Sequence, residues 1–210
     1  MKVTYPIYDI YHSFQGEGVH MGRSALFVRF SGCNLNCWFC DSKEYKNVKW
    51  RYTPEEIINI LDQSPKPDFV VLTGGEPCLY DLEPLVDALH EKGYDVHLET
   101  NGTLPIKGEM DWITVSPKHF SLPLPESFEV ADEFKIVIEN PEEIFEYLRW
   151  FRKMGVTFGD TSSEQRPIWV HPEWSKRNER KLLKAIFWAV IDNGYPLRAG
   201  WQIHKQYHSP

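Results

Sequence analysis

Three of the four cysteines fall within eight residues, Cys33, Cys37 and Cys40 of SGCNLNCWFCD. The C-x3-C-x2-C run follows the apolar stretch ALFVRF directly, so a single loop offers three thiolates to a metal. Structural zinc ordinarily closes four ligands and would need Cys78 or one of the eight histidines as the fourth. The alternative is a [4Fe-4S] cluster, with three irons on cysteine and the fourth open to a substrate. Spacing alone leaves both readings open.

Composition narrows the setting. A chain of 210 residues can bury a core without disulfide staples, and one domain over 1–210 is expected. The start, MKVTYPIYDIYHSF, lacks an apolar core with a cleavage site, and no apolar run approaches the ~18 residues of a membrane span. These features predict a cytoplasmic protein with no membrane partner, where clustered cysteines bind metal or do redox work. The net charge of −7 argues against nucleic acid, whose binding draws on released counterions. The basic run Lys176 to Lys181 is interrupted by Glu179 and opens a helical pattern, which reads as a solvated helix face.

Strands are predicted at Ile7–Phe14, Ala25–Phe30, Phe69–Thr73, Val96–Thr100, Trp112–Val115, Phe134–Ile138, Ile168–His171 and Leu197–Ile203. Several read as continuously apolar, as strands covered on both faces should. Thr53-Pro54-Glu55-Glu56 is a capping box that starts a helix reaching Leu61. Asp81–Glu91, Pro141–Lys153 and Lys181–Asp192 carry helical apolar spacing. Alternating strands and helices imply an α/β fold with a largely parallel sheet, whose ligands sit at the carboxyl ends of the strands.

At one such end, Val71-Leu72-Thr73-Gly74-Gly75-Glu76-Pro77 brings two glycines that admit close backbone approach and a carboxylate suited to an ammonium group. Together, SGCNLNCWFCD and TGGEP resemble the radical S-adenosylmethionine superfamily. The resemblance implies a partial, modified (βα) barrel, with Cys33, Cys37 and Cys40 on three irons and S-adenosylmethionine chelating the fourth. Reduction would then give a 5'-deoxyadenosyl radical that abstracts hydrogen from substrate, with no protein side chain assigned as catalytic. A wider set, FQGEG at 14–18, RFSGC at 29–33, Asp41-Ser42, ETNG at 99–102, Ser116-Pro117-Lys118 and QIHK at 202–205, is similar to the 7-carboxy-7-deazaguanine synthases. That family converts 6-carboxy-5,6,7,8-tetrahydropterin to 7-carboxy-7-deazaguanine with loss of ammonia, on the route to 7-deazapurine nucleosides such as queuosine. Hydrogen would leave C6 of the pterin and return after ring contraction, so S-adenosylmethionine serves as a catalyst.

The same resemblance assigns residues. Phe14, Gln15, Gly16, Glu17, Arg29 and Thr73 are expected at the pterin, with His204 and a terminal carboxylate on Pro210 at its amino end. Phe39, Cys40, Asp41, Gly75, Glu76, Glu99, Asn101, Ser116, Pro117 and Lys118 are expected around S-adenosylmethionine. His171 stands where the family more often has glutamine before proline, and a backbone contact to the cofactor is expected there. Ser42 replaces the commoner threonine and keeps an oxygen ligand for Mg2+. A flavodoxin or ferredoxin as electron donor and a homodimer are further family expectations. Two rivals stand beside this reading: an activase acting on a protein glycine, which would not need FQGEG, and a non-catalytic zinc module using all four cysteines.

Overall fold

The computed structural model describes residues 2–40, 44, 47–161 and 165–207. Nine strands form one sheet: β1 (Tyr5–Phe14), β2 (Ser24–Phe30), β3 (Trp50–Tyr52), β4 (Phe69–Gly74), β5 (Val96–Thr100), β6 (Trp112–Val115), β7 (Glu133–Ile138), β8 (Ile168–Pro172) and β9 (Leu197–Ala199). Their order is β3-β1-β2-β4-β5-β6-β7-β8-β9, with every pair from β2 onward parallel and only β1 antiparallel to its neighbours. The order is linear, so the strands do not close into a barrel. Instead the segment after β9 turns back, and the Ile203 N–H donates to the Gly16 carbonyl at 3.1 Å.

The helices are α1 (Pro54–Leu61), α2 (Glu83–Glu91), α3 (Pro125–Val130), α4 (Pro141–Lys153), α5 (Arg180–Asn193) and the single turn α6 (Ile203–Gln206). The capping box forms as expected: Thr53 Oγ1 accepts from Glu56 N–H at 3.3 Å, and Glu56 accepts from Thr53 N–H at 2.8 Å. No described helix is long and apolar enough to cross a membrane.

Two expectations are corrected. The strand at Leu197–Ile203 stops at Ala199: Gly200 N–H still donates to the Val170 carbonyl at 2.9 Å, but the chain then leaves the sheet and Ile203 opens α6. Nor is the sheet apolar on both faces. One face carries Leu72, Leu98, Val115, Ile136 and Val170 into the main core under the helices. Side chains alternate across a strand, so the other face collects His97 and Glu99, Thr114, Glu133 and Lys135, and Trp169 and His171. That second face is a polar hollow, floored near β2 and β4 by a small apolar cluster of Ala25, Phe27, Phe69 and Val71. Two elements escape the sequence pattern: β3 is three residues long, and α3 sits in a proline-flanked stretch with no helical periodicity.

Candidate active site

The cysteine loop leaves the carboxyl end of β2 and packs on the turn that leaves β4. Gly75 N–H donates to the Phe30 carbonyl at 3.1 Å, and Glu76 N–H to the Gly32 carbonyl at 2.8 Å. A Cβ on Gly75 would meet the Gly32 oxygen at 1.8 Å, so only glycine allows this approach. Cys33, Cys37 and Cys40 all line the cavity above, which holds about 280 Å³. Burial pushes the Cys33 thiol up from its ordinary value. Cys78 lies in the core instead, where burial also raises its thiol.

Glu76 does not line the cavity. It is wholly buried, and its carboxylate accepts from Cys78 N–H at 3.0 Å, Thr100 Oγ1 at 2.7 Å and Asn101 N–H at 2.8 Å. These bonds tie the GGEP turn to the end of β5. Asn101 itself reaches across to Asn34 in the cysteine loop at 3.0 Å. The three loops thereby form one shelf at the carboxyl ends of β2, β4 and β5.

The opposite side of the cavity is polar. Lys135 donates to Glu17 at 2.7 Å and Glu99 at 2.8 Å. Glu99 also accepts from Gln15 at 3.0 Å and Thr73 at 3.1 Å, while Gln202 donates to Glu17 at 2.6 Å. Burial, the largest single influence, would raise the Glu17 and Glu99 carboxyls, but the Lys135 ammonium together with the neighbouring donors reverses it and holds both below the usual carboxylate range. Burial likewise opposes the Lys135 charge, and the two carboxylates more than reverse this. Arg29 donates to the Tyr11 hydroxyl and lies over that ring, with its guanidinium carbon 4.8 Å from the centroid.

Of the residues expected from sequence, Phe14, Gln15, Gly16, Glu17, Arg29, Thr73 and His204 line the cavity, as do Phe39, Cys40, Gly75, Glu99, Asn101, Ser116 and Lys118. Burial pulls the Lys118 ammonium below its usual range, with the Cys37 sulfur working the other way. Glu99 faces Lys135, Gln15 and Thr73, and so sits among the residues expected at the pterin. Pro117 gives its carbonyl to the Tyr147 hydroxyl at 3.0 Å and does not line the cavity. His171 is 1% exposed, with the Nε2 side of its ring against Gly200 and neither ring nitrogen hydrogen-bonded among the described residues. Burial lowers it to about 4. Asp41, Ser42 and Pro210 lie outside the described residues. Sequence reasoning misses Lys135 and Trp174 and gives no site role to Gln202 and Lys205 of the QIHK run, though all four line the cavity. For Lys135 the available signal is its place two residues from Glu133 on an alternating strand.

The Radical SAM superfamily model matches residues 27–163. A 7-carboxy-7-deazaguanine synthase from Synechocystis sp. is 36% identical over 98% of this chain and 93% of its own length. The chain belongs to the 7-carboxy-7-deazaguanine synthase family of the radical SAM superfamily. A second family member, from Bacteroides thetaiotaomicron, is 40% identical over 80% of this chain and 91% of its own. The crystal structure of QueE from Escherichia coli matches with a TM-score of 0.76 over 95% of this chain and 94% of that one, at 26% identity. TYW1, at 17% identity and a TM-score of 0.51, shares the fold alone.

The residues present suit the iron-sulfur cluster that radical SAM membership implies. Three thiols share one wall of the cavity. Among the described residues no three His, Cys, Asp or Glu side chains converge as ligands of a single ion. Thiols that each take a different iron of a cube need no such convergence. Above them, the open strand ends and Lys118 provide the backbone groups and the cation that an amino acid carboxylate requires.

Proposed function

We propose that this cavity holds S-adenosylmethionine and 6-carboxy-5,6,7,8-tetrahydropterin side by side, and that the product is 7-carboxy-7-deazaguanine with release of ammonia. The observation that carries the reading is a single cavity with three thiols on one wall and a hydrogen-bonding floor of Gln15, Glu17, Thr73, Glu99 and Lys135 on the other. In this reading Cys33, Cys37 and Cys40 hold the cluster, and Lys118, Ser116, Asn101, Gly75 and Phe39 hold S-adenosylmethionine. The cluster and S-adenosylmethionine, when bound, supply hydrogen abstraction from substrate.

The chain's own residues bind and orient. Thr73 and Gly16 sit where they can hydrogen-bond the heterocycle, while Arg29 offers a guanidinium to the substrate carboxylate. His204 packs on Gly16: a Cβ there would meet its Nδ1 at 1.9 Å, so glycine lets the imidazole close the floor. Ser42 supplies an oxygen to Mg2+, and Pro210 meets the amino end of the pterin. Glu76 serves the cofactor indirectly, by fixing the turn that presents Gly75. A flavodoxin or ferredoxin donor, a homodimer and a cytoplasmic location complete the proposal.

The test is turnover by anaerobically reconstituted enzyme with reductant, S-adenosylmethionine and the tetrahydropterin, analysed by mass spectrometry with and without Mg2+. 7-Carboxy-7-deazaguanine stimulated by Mg2+ is expected. Cleavage of S-adenosylmethionine without the deazaguanine would refute the substrate.

A further inference from the structure

Glu133, the first residue of β7, is 3% exposed and does not line the cavity. Four donors converge on its carboxylate: the Val19 N–H, the Trp169 indole and the Thr114 hydroxyl, each at 2.8 Å, and the Trp112 indole at 3.4 Å. The three side-chain donors stand on β6 and β8, the strands that flank β7, so the sheet itself fixes where the carboxylate sits. Val19 is the exception. It belongs to the loop between β1 and β2.

That loop closes on itself at its base, where the Gln15 N–H donates to the Arg23 carbonyl at 2.8 Å and the Gly22 N–H to the Gln15 carbonyl at 2.7 Å. Its first residues, Gln15, Gly16 and Glu17, line the cavity, whereas Gly18 and Val19 do not. Gly18 has a φ of +73°, and a Cβ on it would fall 2.3 Å from Glu133 Oε1. The loop therefore closes onto Glu133 with no room for a side chain between them, which accounts for the second glycine of FQGEG. Lys135 and Gln202 hold the end of the Glu17 side chain. Glu133 holds the backbone two residues further on.

We propose that Glu133 is a positioning residue for the reaction, which pins the loop backbone at Gly18 and Val19 to the rigid sheet and so sets where Gln15, Gly16 and Glu17 meet the substrate. The inference rests on the pterin reading. Glu133 acts through the loop, from outside the cavity. A purely structural carboxylate would use the same bonds to tie β6, β7 and β8 together, and its loss would weaken both ligands alike or neither.

The test compares reconstituted wild type, Glu133→Gln and Glu133→Leu, with the affinities for 6-carboxytetrahydropterin and S-adenosylmethionine measured separately and without reductant, beside turnover and amide hydrogen exchange. Glutamine keeps one oxygen for Val19 and Trp169, while its NH2 donates to the Thr114 hydroxyl, which turns to accept. Its pterin affinity should stay within about threefold of wild type, since the anchoring acceptor survives. Leucine has a similar size and no acceptor, so the loop loses its anchor. Displacement on the order of 1 Å should lower pterin affinity and kcat/KM by roughly 10- to 100-fold. Cluster content and S-adenosylmethionine affinity should hold within about twofold, while exchange over residues 15–23 quickens by about tenfold or more. Unchanged pterin affinity in Glu133→Leu overturns the proposal, as does equal loss of both ligands or a glutamine variant as weak as the leucine one. Should Glu133→Leu fail to fold or to hold its cluster, Gly18→Ala decides, because its Cβ drives the loop off the carboxylate and leaves the sheet intact; unchanged pterin affinity there overturns the proposal. Wild type that neither binds nor converts the tetrahydropterin sinks the pterin reading and this inference together. Wild type that does both, beside an unaltered Glu133→Leu, sinks this inference alone.

Discussion

Replacing Glu76 by glutamine changes one atom and separates two roles. The carboxylate is wholly buried and accepts three hydrogen bonds, two of them from the backbone N–H groups of Cys78 and Asn101. A glutamine amide keeps one oxygen. Whichever way it turns, its NH2 faces a backbone N–H, so one donor loses its acceptor and meets another donor. The cost of an unsatisfied buried donor together with a lost charged hydrogen bond is about 2–4 kcal/mol. For a chain of this length each kcal/mol moves Tm by about 2–4 °C, so Glu76→Gln should melt roughly 5–15 °C below wild type. Anaerobic calorimetry of the protein without S-adenosylmethionine measures this directly. If the carboxylate were instead reserved for the ammonium of S-adenosylmethionine, the variant would melt normally and lose only cofactor affinity. A Tm within about 2 °C of wild type would refute the structural role and favour that alternative.

Other outcomes follow from the same geometry. Gly75→Ala sets a Cβ 1.8 Å from the Gly32 oxygen, where real Cβ atoms stay beyond 3.0 Å. The two loops must part by about 1.2 Å, and turnover per bound cluster should fall by about 100-fold. Cys37→Ser should abolish the visible absorbance of the cluster after reconstitution, whereas Cys78→Ser should retain it, since Cys78 lies in the core away from the cavity. Burial holds His97 and His171 neutral, lowering each from 6.5 to about 4. The unfolded chain takes up these protons first as pH falls, so stability should decline between pH 6.5 and about 4, and His171→Asn should flatten part of that decline in a thermal series.

The cysteine loop, the glycine turn and the strand ends are legible in the sequence because each depends on local chemistry: thiol spacing, close backbone approach, and apolar runs that stop at polar residues. The polar hollow is not. Trp, Thr and His on strands pass for ordinary β residues, and EFKIVI reads as a buried strand in which one lysine is an oddity. Only the register across five strands shows that Glu99, Lys135 and their neighbours share a face. Glu76 illustrates a different limit. Its type and position suit a ligand ammonium, but the donors that claim it come from Thr100 and Asn101, more than twenty residues away on another strand. The glycine at 200 has a reason equally hidden: a Cβ there would lie 2.5 Å from the His171 ring. The curled-back segment then brings Gln202 and His204 to the floor, which the strand predicted through Ile203 would have carried past it.

The most direct test of the central claim uses 6-carboxytetrahydropterin deuterated at C6, incubated with reduced, reconstituted enzyme, S-adenosylmethionine and Mg2+. The account predicts 7-carboxy-7-deazaguanine and ammonia in equal amounts, with deuterium appearing in the recovered S-adenosylmethionine. Deazaguanine formed while S-adenosylmethionine stays free of deuterium would contradict it.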